Sequence, residues 1–161
     1  MEKRLIYLED LVVGSVFESA IHPVDAEKIK EFARQFDPQP FHVDEDAAVG
    51  TFFGGLAASG WHTAAITMKL LVESLPLSGG VIGAGSDISW PQPTRPGDIL
   101  RVVSTIMDVT PSRSKPDRGI VKVQSDTLNQ DGGLCQRSVA RLVVFRRDRQ
   151  TTQVFLSGNA S

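Results

Sequence analysis

The chain has 161 residues, a formal net charge of −2, 41% hydrophobic and 22% charged residues. That is the length of one ordinary domain, long enough to bury most of its apolar surface. A near-neutral charge with no basic run among aromatics argues against nucleic acid as a partner. The longest apolar-rich stretch, Trp61 to Leu75, is interrupted by His62, Lys69 and Glu73 and is too short to span a membrane.

The single cysteine, Cys135, excludes an internal disulfide. The first ten residues carry acids and no continuous apolar segment, unlike a secretory leader, so a cytoplasmic protein is expected. The cluster Arg146-Arg147-Asp148-Arg149 reads as a solvated strand end.

In chain order, Leu11 to Ser15 reads as a turn into a short strand, Val16 to Ile21, ended by Pro23. Asp25 is a good N-cap, and Glu27 suits the positive end of the helix that follows. Ala26, Ile29, Phe32, Ala33 and Phe36 recur at helical spacing, and Pro38 stops that helix at Asp37. Asp37-Pro38-Gln39-Pro40-Phe41-His42 is expected to be extended and stiff, because two prolines fix φ and remove two donors. Asp44-Glu45-Asp46 opens a short helical turn through Ala48, and Gly50, Gly54 and Gly55 mark loop.

Ser59 is the next N-cap, before a helix from about Gly60 to Leu75. Its apolar set covers most of the circumference, which predicts burial on most sides. Strands follow at Val81–Trp90, Ile99–Val109, Gly119–Leu128 and Leu134–Arg146. Asn129-Gln130-Asp131-Gly132-Gly133 turns between the last two. The tail, Ser157 to Ser161, reads as frayed. Helices followed by consecutive strands predict an α+β fold, with an antiparallel sheet wrapped around the long helix. Its open sheet edge and outer face call for a cover, which a homodimer would supply.

Three histidines are present: His22, His42 and His62. His42 follows Asp37 by five positions on the stiffened segment, and Gly60 starts the buried helix. An Asp and a neutral His can exchange protons in adding water to an α,β-unsaturated thioester or removing it. A backbone N–H at a helix start can hold the enolate-like oxygen that develops on the thioester carbonyl. His62 reads as structural or pocket-lining, and His22 as a strand-end residue. No second His or Cys falls at ligand spacing from His42, so no metal site is expected.

Phe36-Asp37-Pro38-Gln39-Pro40-Phe41-His42-Val43-Asp44 resembles the hydratase motif of the MaoC-like dehydratases, the (R)-specific enoyl-CoA hydratase group. That motif reads Asp, any residue, Asn, Pro, any residue, His. Ala57-Ala58-Ser59-Gly60-Trp61-His62-Thr63 resembles the start of that family's central helix. Pro93-Thr94-Arg95-Pro96-Gly97-Asp98 resembles the strand connection after it. The resemblance spans about Val13 to Phe145. It implies a single hot-dog domain, a homodimer with sites near the subunit interface, and an acyl-thioester substrate of coenzyme A. It implies Asp37 and His42 as catalytic residues and the Gly60 amide as the oxyanion donor. Coenzyme A enters as part of the substrate, and no separate cofactor is implied. Gln39 stands where the family has Asn, Phe36 where Gly often precedes the Asp, and Ser59 where His is frequent. Arg113, Lys115 and Arg118 are candidates for the phosphates of coenzyme A, against the plainer reading of solvated loop charges. A thioesterase on the same fold and a non-catalytic acyl-thioester binder are the alternatives.

Overall fold

A computed structural model describes residues 4–148. The expected frayed tail, 157–161, lies outside the described residues. A 3-10 turn at Leu8–Asp10 precedes β1 (Val16–Glu18), β2 (His22–Pro23), α1 (Ala26–Phe36), α2 (Pro40–Val43) and α3 (Glu45–Val49). Then come α4 (Gly60–Ser74), β3 (Ile82–Ser89), β4 (Ile99–Pro111), β5 (Arg118–Leu128) and β6 (Leu134–Phe145). The six strands form one antiparallel sheet in the order β1-β4-β5-β6-β3, with β2 also paired to β4. With α4 packed on this sheet, the molecule has the α+β hot-dog fold that the sequence predicts.

Alternation builds the sheet's inner face. Leu100, Val102, Ser104 and Ile106 on β4 are fully buried, as are or nearly are Val121, Val123, Ser125 and Thr127 on β5. Leu71 and Leu75 pack against Ile106, Val121, Val123, Leu142 and Val144. Ile66 and Leu70 pack against Leu100, Val102, Cys135 and, from α1, Ile29. The N-caps stand where predicted. Asp25 Oδ1 accepts from Glu27 N at 2.7 Å, and Ser59 Oγ accepts from Trp61 N at 3.2 Å. In the hairpin between β5 and β6, Gly132 takes φ +77°, a conformation that favours glycine.

Three expectations are corrected. The proline segment is not extended throughout: Pro40–Val43 forms one helical turn, with Pro40 in its first turn. Proline's missing N–H has no partner in a helix's first turn anyway, so Pro40 starts the turn that Pro38 keeps from beginning earlier. The strand expected over 16–21 holds only over β1, and Pro23, expected to end it, lies in the separate short strand β2; both pair with β4. Helix α4 is not buried on most sides within this chain: Trp61, Met68 and Val72 are exposed, while Thr63, Ile66, Thr67, Leu70 and Leu71 face the core. The two threonines are paid for by partners, Thr63 by Thr94 and Thr67 by Thr127.

The basic strand end is also less free than expected. Arg147 holds the Asp10 carboxylate at 2.7 Å and Arg146 lies 3.7 Å from Glu9, so the end of β6 fastens the N-terminal 3-10 turn.

Candidate active site

The end of α1, the turn of α2 and the start of α4 meet at one place. Asp37 caps α1, with its N–H on Ala33 O. His42 rides on α2 and is 4% exposed. His42 Nε2 lies 3.3 Å from Asp37 Oδ2. On its other side, His42 Nδ1 is 2.6 Å from Ala57 O. A carbonyl oxygen can only accept, so the proton belongs on Nδ1. In the neutral ring Nε2 then presents a lone pair to a carboxylate oxygen. A water or a substrate hydroxyl that approaches this pair from the side can donate to both acceptors.

The Asp37 carboxylate is held from two further directions. Gln39 Nε2 donates to Asp37 Oδ1 at 2.6 Å. The Ser59 hydroxyl hydrogen-bonds the same carboxylate while accepting from Trp61 N. Burial pushes the Asp37 carboxyl up, but the hydrogen bonds from Ser59 and Gln39 and the charge of His42 outweigh it. The result lies below the ordinary carboxylate value. The long amide of Gln39 therefore does act on this carboxylate.

Ser59, fully buried, joins the acid–base pair to the N-terminus of α4. Trp61 N–H is taken by Ser59 Oγ, and among the described residues no acceptor bonds Gly60 N–H. A free first-turn N–H with a helix dipole behind it can stabilise a developing oxyanion. His42 and Gly60 border a cavity of about 370 Å³, together with Phe53, Thr63, Trp90 and Thr94. Asp37 adjoins it through His42 rather than forming its wall.

A second layer fixes the loop opposite His42. Arg95 Nη1 donates to Gly55 O and Leu56 O at 3.0 and 3.2 Å, and Nη2 donates to Phe53 O. Ala57 N bonds Phe41 O and Ala58 N bonds Thr94 O. The carbonyl that orients His42 is thus held from both ends.

All three residues expected to act, Asp37, His42 and Gly60, are brought together. The sequence assigned Ser59 a cap and nothing more, and it passed over Trp90 and Arg95. Its position beside Gly60 was the only signal that Ser59 carried. His62 lies outside the cavity wall: it stacks on Phe32 at 4.7 Å between ring centroids. Arg113, Lys115 and Arg118 do not line the cavity, and Arg118 is paired with Asp117. Among the described residues no three His, Cys, Asp or Glu side chains gather as metal ligands would, and no helix is long and apolar enough to cross a membrane.

A family model, the MaoC like domain, matches residues 12–129. The chain belongs to this family. It is 64% identical to a MaoC-like dehydratase from Rhodospirillum rubrum of known structure, over 88% of this chain and 98% of that one, with a TM-score of 0.87. It is 36% identical to the uncharacterized protein YdeM of Bacillus subtilis, over 76% of this chain and 87% of that protein. It is 31% identical to a 3-hydroxybutyryl-CoA dehydratase of Methylorubrum extorquens, over 81% and 83%. This MaoC-like chain is therefore akin both to a named dehydratase and to a protein of unassigned activity.

Proposed function

We propose that this MaoC-like protein is a hydro-lyase that hydrates a trans-2-enoyl thioester of coenzyme A, or dehydrates the 3-hydroxyacyl thioester. The observation that carries this reading is the pair formed by His42 Nε2 and Asp37 Oδ2, 3.3 Å apart, with His42 bordering the cavity and its Nδ1 held by Ala57 O. A water placed there donates one hydrogen to each. In hydration one partner takes the water's proton as oxygen attacks C3, and a proton is returned at C2. Charge that builds on the thioester oxygen is met by Gly60 N–H. Such a donor is worth roughly 3–4 kcal/mol in measured oxyanion holes. Proton transfer by a positioned side chain contributes about 10²–10⁴-fold. The kinship to a 3-hydroxybutyryl-CoA dehydratase supports the same chemistry. The reaction needs no cofactor beyond the coenzyme A of the substrate, and a cytoplasmic setting suits that substrate.

The working unit is a homodimer. Among the described residues β3 pairs with β6 alone, and Ile82 on it is exposed. The exposed apolar stripe of Trp61, Met68 and Val72 lies on α4. An open sheet edge beside an apolar helix face is a surface that a second copy would cover.

The test is product analysis after incubation with crotonyl-CoA. Formation of 3-hydroxybutyryl-CoA with the thioester intact supports the hydro-lyase. Release of free thiol without hydration indicates a thioesterase, and tight binding without turnover indicates an acyl-thioester binder.

A further inference from the structure

Helix α4 starts beneath an aromatic ring. An added Cβ on Gly60 would lie 2.7 Å from Trp90 Cε2, so the Trp90 indole sits directly against the backbone proposed to hold the oxyanion. The ring is fixed twice. Its Nε1–H donates to Gln136 Oε1 at 2.9 Å, and its face meets the edge of Trp61, or the reverse, at 5.4 Å and 80°. Gln136 is 1% exposed, so the acceptor itself does not move with solvent.

The two members of this pair border different spaces. Trp90, Thr63 and Cys135 border the site cavity. Gln136 and Thr67, one helical turn beyond Thr63, border a second hollow of about 320 Å³, whose wall includes the apolar Met68, Leu71, Ile88 and Leu142. Among the described residues the site cavity also has no lysine or arginine in its lining. The nearby guanidinium of Arg95 is already bonded to the carbonyls of Phe53, Gly55 and Leu56. An acyl group ending in a carboxylate would therefore lose its hydration without gaining a lysine or arginine partner.

We propose that Trp90, pinned by Gln136, is the specificity-determining residue that restricts the site to short, uncharged acyl groups. The proposal rests on the hydro-lyase reading. The indole stands on the site-cavity side of its bond to Gln136 and so limits how far an acyl chain reaches toward the apolar hollow.

The experiment measures kcat/KM for crotonyl-CoA, trans-2-octenoyl-CoA and fumaryl-CoA, the last being crotonyl-CoA with its methyl replaced by a carboxylate. Wild type is expected to prefer crotonyl-CoA over each of the others by about tenfold or more. Trp90→Ala brings octenoyl-CoA to within about threefold of crotonyl-CoA and leaves fumaryl-CoA excluded. Gln136→Met keeps the indole but removes its acceptor, and shifts the length preference in the same direction by a smaller factor. That second variant decides the matter if Trp90→Ala does not fold. Equal use of crotonyl-CoA and octenoyl-CoA by wild type, or of fumaryl-CoA, overturns the proposal while leaving the hydro-lyase intact. So does an unchanged length preference in the folded variants. Failure of folded wild type on every enoyl thioester overturns the hydro-lyase reading, and this proposal with it.

Discussion

Asp37 owes its low pKa to neighbours that outweigh burial, and that balance can be tipped at Ser59. Ser59→Ala removes one donor and leaves the desolvation, so the carboxyl pKa rises. The acid limb of kcat/KM should move to higher pH, and Ser59→Thr should restore it by keeping the hydroxyl. The lost N-cap alone should cost roughly 0.5–2 kcal/mol of stability. A stability loss with an unmoved acid limb would make Ser59 a cap only. The folded-state sign is consistent: a depressed carboxylate contributes stability above its unfolded pKa, and loses it as pH falls through the folded value. Asp37 and His42 could be read as a pair from their spacing on the proline segment, whereas the role of Gly60 came chiefly from the family resemblance. Ser59's bond to Asp37 could not, since it depends on how α1 docks on α4. The same holds for Trp90, which reaches Gly60 from the end of β3.

At the scale of elements, local rules predicted α1, α4 and the long strands well, because caps, prolines and alternation act within a few residues. They failed at α2, where a proline that forbids helix in one place starts it in the next, and at the outer face of α4, where Trp61, Met68 and Val72 are exposed among the described residues. The docking of α1 on α4 carries its own pH dependence. His62 stacks on Phe32 at an interplanar angle of 8°, and its Nδ1 is buried with no hydrogen-bond partner among the described residues. Burial, with the nearby His22, pushes the His62 pKa below its ordinary 6.5, and burial together with the Lys69 charge lowers His22 as well, against the opposing charge of Glu73. Neutral histidine therefore favours the fold above about pH 6.5, and that stability is lost as pH falls through the lowered folded values. His62→Phe keeps a ring on Phe32 and cannot charge. Its melting temperature should match or exceed wild type at neutral pH and fall less on acidification. Parallel curves for the two proteins would show that His62 does not titrate against the fold.

For the whole molecule, an antiparallel sheet closed on one side by α4 still leaves β3 as an open edge next to exposed Trp61 and Met68. Wild type should sediment as a dimer at micromolar concentration. Met68→Glu and Ile82→Lys together, placing charge on the helix face and the sheet edge, should shift it to monomer without melting the core. A wild-type monomer would contradict the dimer. The antiparallel α+β architecture was readable from the order of helices and strands. Which face stays uncovered was not, because sequence periodicity records that a residue is apolar, not which chain buries it.

The central claim is that Asp37 and His42 exchange protons with water at an enoyl thioester. Its most direct test is loss of the enoyl absorbance of crotonyl-CoA with wild type, Asp37→Asn and His42→Ala side by side, each checked for melting. The account predicts turnover by wild type and a loss of about 10²-fold or more in each folded variant. Near-wild-type rates in either folded variant would contradict it.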